Sequence, residues 1–519
     1  MADIEIEMFE VGLGSSIYLK LSHSDGDVRI LADGGVEHGV DADHVLDKLG
    51  PVLAREGGER RIDLVVGTHY DEDHLRGLSP VLKSGIVIGE VWLPPVVDDT
   101  AALVADARTR DEDLLGFKFG RDPGAALRYV GAKLEAIARL AELEAALGGE
   151  RGEAVRTIPS EGLESRDRGA LLSHLRAHLL PRGEACGCEH VDVADVDSDA
   201  SASGLAGVPG YDPLMLAPGW LYGFDDPFDF GDLLAMATRR RGTPRADVAM
   251  MSLRYVRAGA AKDAINALAL DDVIQAALSA GASVRYRTID RGRPQHFRWD
   301  APSTRFVPGW SRTPDEPALS LLGPSGGLAR RHANRLSVVD AGMLALVSRI
   351  PVKSISPSNQ LSYVLSVVHR EQRVLLCGDS GFSDFMIGRS KVEPLLLDEL
   401  RLLDVVQVAH HAGYNQWFYP VLVEAWTGRV RAPAQLLVSH GADDPVRPTP
   451  EFERFVGETA TEVRHRRILF TSRPQADKVR NYVGEVHDAI GVSSPAKEGD
   501  IRLEFEGGAW RVARHAVQV

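Results

Sequence analysis

A ten-residue stretch, Thr68 to Gly77, constrains this chain more than any other part of its sequence. It reads THYDEDHLRG and follows an apolar run, Ile62 to Val66, which predicts a short buried strand closed by Gly67. Four of its side chains can bind metal: His69, Asp71, Asp73 and His74. Charged groups packed this densely at a strand end repel one another and lose solvation unless cations compensate them. The spacing His-x-Asp-x-Asp-His therefore predicts a metal site, and it fits a site for two metals.

The composition is that of an ordinary globular protein, with 44% hydrophobic and 26% charged residues. The 519 residues suffice for two or three domain-sized units or for one elaborated fold. No apolar stretch approaches about 18 residues, and the start, MADIEIEMFE, lacks the pattern of a signal peptide. Three cysteines are too few for a disulfide framework. These features predict a cytoplasmic protein that does not bind a membrane.

Strand and helix patterns alternate along both ends of the chain and predict an α/β fold. Residues 1–96 contain strand-like runs, a helix at 41–55 interrupted by Gly50-Pro51, and the strand before the metal-binding motif. Residues 261–519 return to the same patterning after a different middle region. We expect these two parts to form one domain.

The middle region, residues 97–260, is charged and alanine-rich with helical periodicity, and then rich in loop-forming residues. We predict that it is a large helical and loop insertion, which a protein partner could bind. Within it, Cys186, Cys188 and His190 form a C-x-C-x-H pattern. That pattern could hold a metal, but a structural zinc site normally has four ligands.

Several predicted strands of the second half end in polar residues, as α/β folds place their chemistry at strand ends. Asp379 follows a buried strand and Gly378, where its carboxylate is well placed to bridge two metals. The pair His410-His411 follows the next apolar strand, and its occurrence together with the motif favours a role in metal binding. Three other polar residues border predicted strands of this half: Asn359, Ser362 and His440.

Asp33 lies at the end of a predicted strand, immediately before two glycines. It either orients a metal-bound histidine or caps the turn, and we expect it to support the site without binding metal. Gly12 and Gly14 lie between the first two strands. They indicate either a tight turn or a close approach of backbone to the site.

At these residues the sequence resembles the metallo-β-lactamase-fold hydrolases, and within them the soluble hydrolase domain of ComEC-type competence proteins. The segments that carry the resemblance are FEVGLGSSIYL (9–19), LADGG (31–35), THYDEDHLRGL (68–78), SNQLSYVL (358–365), LLCGDS (375–380), VAHHAGYN (408–415) and LLVSHGADDPVRPTPE (436–451). The general pattern is His-x-His-x-Asp-His, and Asp71 replaces its second histidine, as in the competence-type branch. Arg447-Pro448 stands where the family commonly has His-Pro. The family's membrane channel segments are absent, so a role in DNA transport does not carry over.

The resemblance implies an αββα metallo-β-lactamase sandwich with two divalent metal ions. His69 and Asp71 would hold one ion. Asp73, His74 and one histidine of the pair at 410 and 411 would hold the other, and Asp379 would bridge. Because carboxylates contribute more than in an all-histidine site, Mn²⁺ competes with Zn²⁺, and Mg²⁺ stays a third candidate.

Two metals about 3.5 to 4 Å apart would lower the pKa of a bridging water and hold the resulting hydroxide in line with an electrophilic phosphorus or carbonyl. Asp73 can orient that nucleophile as well as bind metal. The leaving oxygen needs a proton or a positive partner, for which Ser362, His440 and Arg447 are candidates. Each of the three fits a role in stabilising its own loop equally well. Water, Asn359 or Ser362 would complete the first metal's ligand set.

We therefore predict a metal-dependent phosphodiesterase or nuclease that acts on nucleic acid or a nucleotide, the chemistry associated with the competence-type motifs. The net charge of −15 argues against avid, nonspecific binding to long nucleic acid and favours a short phosphorylated substrate. Two alternatives stay open. The same metals could serve a hydrolase of carboxylic esters, thioesters or amides, or the chain could be a regulatory protein with a latent metal site.

Overall fold

The computed structural model describes part of the chain. The described residues are 2–35, 41–57, 59–96, 124–146, 171–172, 175, 244–333, 357–387, 391–415, 417–427, 435–442, 444, 447–459, 467–472, 474 and 499–516. Most of the predicted insertion lies outside them, and so do Cys186, Cys188 and His190.

The chain divides into two compact units. The first comprises Met1–Val96, Ala269–Ala329 and Ser358–Val519, and the second comprises Val97–Leu268 and Arg330–Pro357. Both large sheets and all the residues of the site described below belong to the first unit.

The strands form two sheets of eight strands each and one short pair. The strands are β1 (Ile4–Met8), β2 (Ile17–Leu21), β3 (Val28–Ala32), β4 (Arg61–Val66), β5 (Val87–Leu93), β6 (Ser283–Tyr286), β7 (Gln295–Asp300), β8 (Arg305–Pro308), β9 (Ala318–Gly323), β10 (Val364–His369), β11 (Gln372–Leu376), β12 (Met386–Ile387), β13 (Lys391–Val392), β14 (Val405–Gln407), β15 (Gln435–Val438), β16 (Arg467–Phe470), β17 (Asp500–Glu506) and β18 (Ala509–Ala516).

The first sheet has the order β18-β17-β1-β2-β3-β4-β5-β6, and the second has the order β16-β15-β14-β11-β10-β9-β7-β8. Strands β3 to β6 run parallel to one another, as do β11, β14, β15 and β16. The remaining pairs within the two sheets are antiparallel. Each sheet therefore has one edge at which the carboxyl ends of neighbouring parallel strands lie together.

Ten α-helices are described, most of them short. They are α1 (His44–Glu56), α2 (Glu72–Leu75), α3 (Leu78–Lys83), α4 (Gly124–Ala146), α5 (Pro244–Ser279), α6 (Gly326–Ala333), α7 (Pro357–Gln360), α8 (Pro394–Leu400), α9 (Phe418–Trp426) and α10 (Pro450–Glu458). Within the described part of the chain, no helix is both long enough and apolar enough to cross a bilayer.

The alternation of side chains along the strands explains how the sheets are held. In β1, every second residue, Ile4, Ile6 and Met8, belongs to the largest buried cluster, because successive strand side chains point to opposite faces. The same cluster takes side chains from strands of the second sheet, among them Leu319 and Leu365. The protein is thus a mixed α/β fold with two large sheets and helices, as the sequence patterns predicted.

Two local predictions were wrong. Helix α1 continues through Pro51 without a break, because burial of Val45, Leu49 and Val52 on one face holds it together. The apolar run from Leu361 to Val368 also predicts a strand, but the strand begins only at Val364, and the residues before Leu361 form the short helix α7.

Candidate metal centre

The motif loop, Thr68–His74, leaves the carboxyl end of β4 and packs tightly against backbone that contains glycine. A β-carbon at Gly35 would lie 1.2 Å from the carbonyl oxygen of Asp73, so only glycine fits there. A β-carbon at Gly14 would lie 2.7 Å from the Gly35 carbonyl, which identifies Gly14 as a point of close backbone approach. Gly12 has a φ of 71° and occupies a turn. These contacts hold the ligand-bearing loop in one conformation.

Asp33 is fully buried behind the motif loop and orients two of its imidazoles. Its Oδ1 accepts a hydrogen bond from the Thr68 amide at 2.6 Å, and its Oδ2 accepts one from the Thr68 hydroxyl at 2.7 Å. Oδ2 also accepts from Nδ1 of His74 at 2.8 Å, while the Thr68 hydroxyl oxygen lies 3.3 Å from Nδ1 of His69. Because a carboxylate only accepts, Nδ1 of His74 carries the proton, and Nε2 of the neutral ring presents its lone pair. The Thr68 hydroxyl oxygen likewise accepts from Nδ1 of His69, so Nε2 of that ring also presents its lone pair.

Three imidazole nitrogens converge on the carboxylate of Asp379. Nε2 of His74 lies 3.4 Å from Oδ1, Nε2 of His411 lies 3.6 Å from Oδ1, and Nε2 of His69 lies 3.8 Å from Oδ2. All three nitrogens are buried, and none has a hydrogen-bond partner among the described residues. Two ligand atoms bound about 2.1 Å from one tetrahedral ion are about 3.4 Å apart, so the observed separations fit a shared ion.

Three overlapping groups of side chains could hold a metal ion, and within each group the ligand atoms lie within 4.8 Å of one another. The groups are His69, His74 and Asp379; Asp73, His74 and His411; and His69, Asp71 and Asp73. All four predicted ligands of the motif belong to at least one group. Together the groups offer six donor residues, more than the four ligands of a single tetrahedral ion.

The position of Asp379 is set by a turn at the end of β11. Gly378 has a φ of 48°, and a β-carbon there would lie 2.1 Å from the Thr68 hydroxyl oxygen. The side chain of Gln407, at the end of β14, accepts from the Gly378 amide at 3.2 Å and donates to the Ser15 hydroxyl at 2.8 Å. These contacts bring the carboxylate from the second sheet up to the motif loop of the first.

The structure distinguishes the two histidines of the pair that follows β14. Nε2 of His411 lies 3.9 Å from Oδ2 of Asp73 and belongs to the metal-holding groups. Nδ1 of His410 instead lies 2.9 Å from the carbonyl oxygen of Tyr414, to which it donates. Its Nε2 then accepts from Nη2 of Arg447 at 3.5 Å. His410 is in none of the metal-holding groups found among the described residues.

The backbone conformation of residues 410–412 explains why the two histidines contact different groups. His410, His411 and Ala412 have φ values of 55°, 54° and 63°, three consecutive non-glycine residues in the left-handed region. Such a conformation costs about 1 to 2 kcal/mol per residue. It directs the imidazole of His411 toward Asp73 and that of His410 toward Tyr414 and Arg447.

Burial and the surrounding charges shift the proton affinities of the site in opposite directions. Burial lowers the pKa of His411 to about 3, and burial together with the neighbouring His74 lowers the pKa of His69. Burial alone would also lower the pKa of His74, but the carboxylates of Asp379 and Asp33 raise it well above its ordinary value. Burial opposes ionisation of Asp379, yet His411 and His74 hold the pKa of Asp379 well below its ordinary value. The neighbouring carboxylates thus favour proton uptake by His74, and the two imidazoles favour the ionised form of Asp379.

Asn359, within α7, and Ser362, between α7 and β10, are both buried and belong to one segment. The amide of Ser362 donates to the carbonyl oxygen of Asn359 at 3.4 Å. The following amide, that of Tyr363, donates to the carbonyl oxygen of Thr68 at 2.6 Å. The structure therefore brings this segment against the motif loop.

His440 and Arg447 belong to the loop after β15. Nδ1 of His440 lies 2.9 Å from the Ser472 hydroxyl, and Nε2 lies 3.1 Å from the carbonyl oxygen of Arg447. Nη1 of Arg447 donates to Oδ2 of Asp444 at 3.1 Å. Both ring nitrogens of His440 are thus engaged in holding loops together, whereas Arg447 extends from this loop to His410.

Two residues that organise the centre are not among those predicted from the sequence. Thr68 connects Asp33 to His69, and its signal was its place directly before the first ligand. Gln407 caps the turn before Asp379, and its signal was a single amide side chain inside an apolar strand. Both are polar side chains at the ends of buried strands, where an unpaired hydrogen-bonding group would be costly.

The sequence matches no protein-family model and no curated protein significantly. The chemistry of the site must therefore be argued from its own side chains. Those side chains form a buried set of histidines and aspartates that could hold a metal ion.

Proposed function

We propose that this protein is a metal-dependent hydrolase, a phosphodiesterase or nuclease acting on nucleic acid or a nucleotide, with the αββα arrangement of the metallo-β-lactamase-fold hydrolases. One observation supports it above the others. The Nε2 atoms of His69, His74 and His411 are buried, have no hydrogen-bond partner in the described part of the chain, and face the carboxylate of Asp379. Nitrogens left in this state are costly unless a cation binds them.

The donor set is best explained by two divalent ions, Zn²⁺ or Mn²⁺, with Mg²⁺ as a third candidate. His69 and Asp71 would hold one ion, and Asp73, His74 and His411 the other. Asp379 would be shared, since its two oxygens face different histidines. A donor set with this many carboxylates suits harder ions than an all-histidine site does.

Bound divalent ions would act as Lewis acids on a phosphoryl oxygen and lower the pKa of a water molecule. Asp73 is the most accessible carboxylate of the set, which suits it to accept the proton of the attacking water. A bond then forms between the water oxygen and phosphorus while the bond to the leaving oxygen breaks.

The leaving oxygen requires a proton or a positive neighbour. Arg447 is the best candidate for this role, because its guanidinium reaches His410 and contributes to the lowered pKa of His411. His440 is assigned a supporting role, since its ring nitrogens engage Ser472 and the carbonyl of Arg447. Ser362 stays a candidate proton donor through its place beside the motif loop.

Phosphodiesters are favoured over carboxylic esters by the ligand set. Asp71 stands where the general superfamily pattern has a histidine, and the competence-type branch that shares this feature is associated with DNA cleavage. Two metal ions also suit the in-line displacement of phosphoryl groups, because they stabilise both the attacking and the leaving oxygen.

The deciding experiment combines metal content with activity. The protein is purified, its metals are counted by elemental analysis, and it is assayed with Mn²⁺, Zn²⁺ and Mg²⁺. The substrates are single-stranded DNA, RNA, cyclic nucleotides, bis(p-nitrophenyl) phosphate and a chromogenic ester. We expect two metals per chain and turnover of phosphodiesters.

The pair His411→Ala and His410→Ala provides the matched control. Only the first should lower the metal content, because only His411 lies in a metal-holding group. Turnover of the ester alone would favour the carboxylic ester alternative. Two bound metals with no turnover of any substrate, together with capture of a protein partner, would favour a regulatory protein.

A further inference from the structure

Arg287 lies directly after β6, at the same edge of the first sheet as the motif loop. Strands β4, β5 and β6 are parallel neighbours, with Val66 opposite Trp92 and Trp92 opposite Arg285. Thr68 lies two residues after Val66, and Arg287 lies two residues after Arg285. The two residues are therefore at the same level along the strand direction. Neighbouring strands are about 4.8 Å apart, so the two backbones are separated by about 10 Å.

A tyrosine side chain connects the same two positions. The amide of Tyr363 donates to the carbonyl oxygen of Thr68 at 2.6 Å. The hydroxyl of Tyr363 accepts from the Arg287 amide at 2.8 Å and donates to the carbonyl oxygen of Leu93. The backbone of Arg287 is thus held at a set distance from the metal ligands, which begin at His69.

The guanidinium of Arg287 lies on aromatic rings and is only partly exposed. Its Cζ is 5.1 Å from the centre of the Trp92 ring and 5.1 Å from that of Phe297. A guanidinium supported in this way keeps its N–H groups available for a planar or tetrahedral anion.

No described carboxylate forms an ion pair with Arg287, and its Nε is buried without a described hydrogen-bond partner. The neighbouring Arg285 differs, because its Nε lies 3.6 Å from Oε1 of Glu90. Burial lowers the pKa of Arg287 although the charge of Glu90 acts to raise it, so that carboxylate compensates the charge of Arg287 only in part. In a chain with a net charge of −15, such a cation near a metal centre is suited to attract an anion.

We propose that Arg287 binds a second phosphate of a nucleotide-chain substrate, about two strand spacings from the metal centre. The inference rests on the proposed function, because it takes the metal centre to hold the scissile phosphate. One nucleotide rises about 3.4 Å along a stacked strand, so a distance of about 10 Å corresponds to up to three nucleotides. The substrate is therefore a short oligonucleotide or a nucleic acid end, with more than one phosphate.

The test uses the full chain with its metals and two fluorescent tetrathymidylate probes, followed by fluorescence anisotropy. All three linkages of the charged probe are phosphorothioates, which resist hydrolysis. In the neutral-flank probe only the central linkage is charged, and the outer two are methylphosphonates. Arg287→Gln should bind the charged probe at least about 10-fold more weakly than the wild type does, the effect of losing one charged hydrogen bond.

The neutral-flank probe should bind the wild type and Arg287→Gln with equal affinity. Arg285→Gln, the matched control, removes the same charge from β6 and should bind both probes like the wild type. When the logarithm of the affinity for the charged probe is plotted against the logarithm of the salt concentration, the slope for Arg287→Gln should be shallower than that of the wild type by about 0.7. This is the change expected for one lost phosphate contact on a single strand. Arg287→Lys, which retains the charge, guards against misfolding of the glutamine variant and should bind with intermediate affinity.

The kinetic counterpart compares tetrathymidylate with bis(p-nitrophenyl) phosphate, which has a single phosphate. Arg287→Gln should raise the KM for the oligonucleotide and leave both kinetic constants for the small diester unchanged. The inference is overturned if both probes weaken equally, if Arg285→Gln has the same effect, or if the wild type does not bind the charged probe. Absence of phosphodiester turnover by the wild type would instead overturn the proposed function, and the binding measurements would still decide the role of Arg287.

Discussion

Two clusters built on buried carboxylates in the first unit differ in how their charges are compensated. In the ion-paired cluster, defined by Glu7, Asp500, Lys48, Arg55 and Arg514, each carboxylate has a cationic partner. Glu7 lies 2.7 Å from Arg55 and 2.9 Å from Arg514, and Asp500 lies 2.9 Å from Lys48. In the metal centre, by contrast, three buried imidazole nitrogens face a carboxylate and have no hydrogen-bond partner among the residues that the structure describes.

The difference separates a structural cluster from a functional one. The ion-paired cluster connects β1 with β17, β18 and α1, and each of its two carboxylates has a cation of the chain within 2.9 Å. The metal centre has spare lone pairs in the protein interior, which water or a hydrogen-bond donor would normally satisfy. A buried cluster of histidines and carboxylates that the chain leaves incomplete therefore points to an ion.

The largest expected difference between the clusters concerns chelation. A metal at 1,000 times its dissociation constant stabilises the folded state by about 4 kcal/mol. We expect a chelator to lower the melting temperature of the wild type and to leave that of Asp379→Asn unchanged, because this variant binds no metal. Differential scanning calorimetry measures both, and equal sensitivity of the two proteins would contradict the assignment.

Breaking the ion-paired cluster should cost slightly less and should not depend on metal. Asp500→Ala leaves Lys48 buried without its closest partner, which costs about 3 kcal/mol. Urea unfolding should show the same loss in the free energy of unfolding with and without chelator, each measured against the wild type under the same conditions. Asp25→Ala, at an exposed aspartate, is the control and should change stability little. A loss of metal from Asp500→Ala would show that the clusters are coupled.

The carboxylate behind the metal centre should have a moderate effect. Asp33→Asn retains the shape of the side chain but weakens the orientation of His74, so we expect metal affinity to fall about 10- to 100-fold. Competition with a chromophoric chelator measures the affinity. Unchanged affinity would mean that Asp33 only caps its turn.

The smallest expected effect is the pH dependence of metal binding. The carboxylates of Asp379 and Asp33 raise the pKa of His74 well above its ordinary value, so His74 keeps its second proton to a higher pH than a free imidazole does. Metal binding must displace that proton from Nε2, and affinity should rise about tenfold per pH unit below this pKa and level off above it. Calorimetric titration in buffers of different ionisation enthalpy should detect about one released proton. No buffer dependence would mean that His74 is already neutral or does not bind metal.

Much of the fold class could be predicted from the sequence, because the apolar periodicities of strands and helices are local. The strand before the motif, predicted from Ile62 to Val66, is β4 from Arg61 to Val66. The break predicted at Pro51 was wrong, since burial of one helix face outweighed the local preference of proline. The αββα layering stays a prediction.

The sequence by itself determined the ligand-rich motif, because four donors within six residues of one tight loop are neighbours in any fold. It also identified Asp379 and the pair at 410 and 411, through their places after apolar strands. Only the tertiary structure decided that His411 and not His410 faces Asp73, since three left-handed residues set the directions of the two rings. The tertiary structure likewise placed Asp33 behind His74, because that contact depends on two parallel strands whose ends are brought together by the sheet.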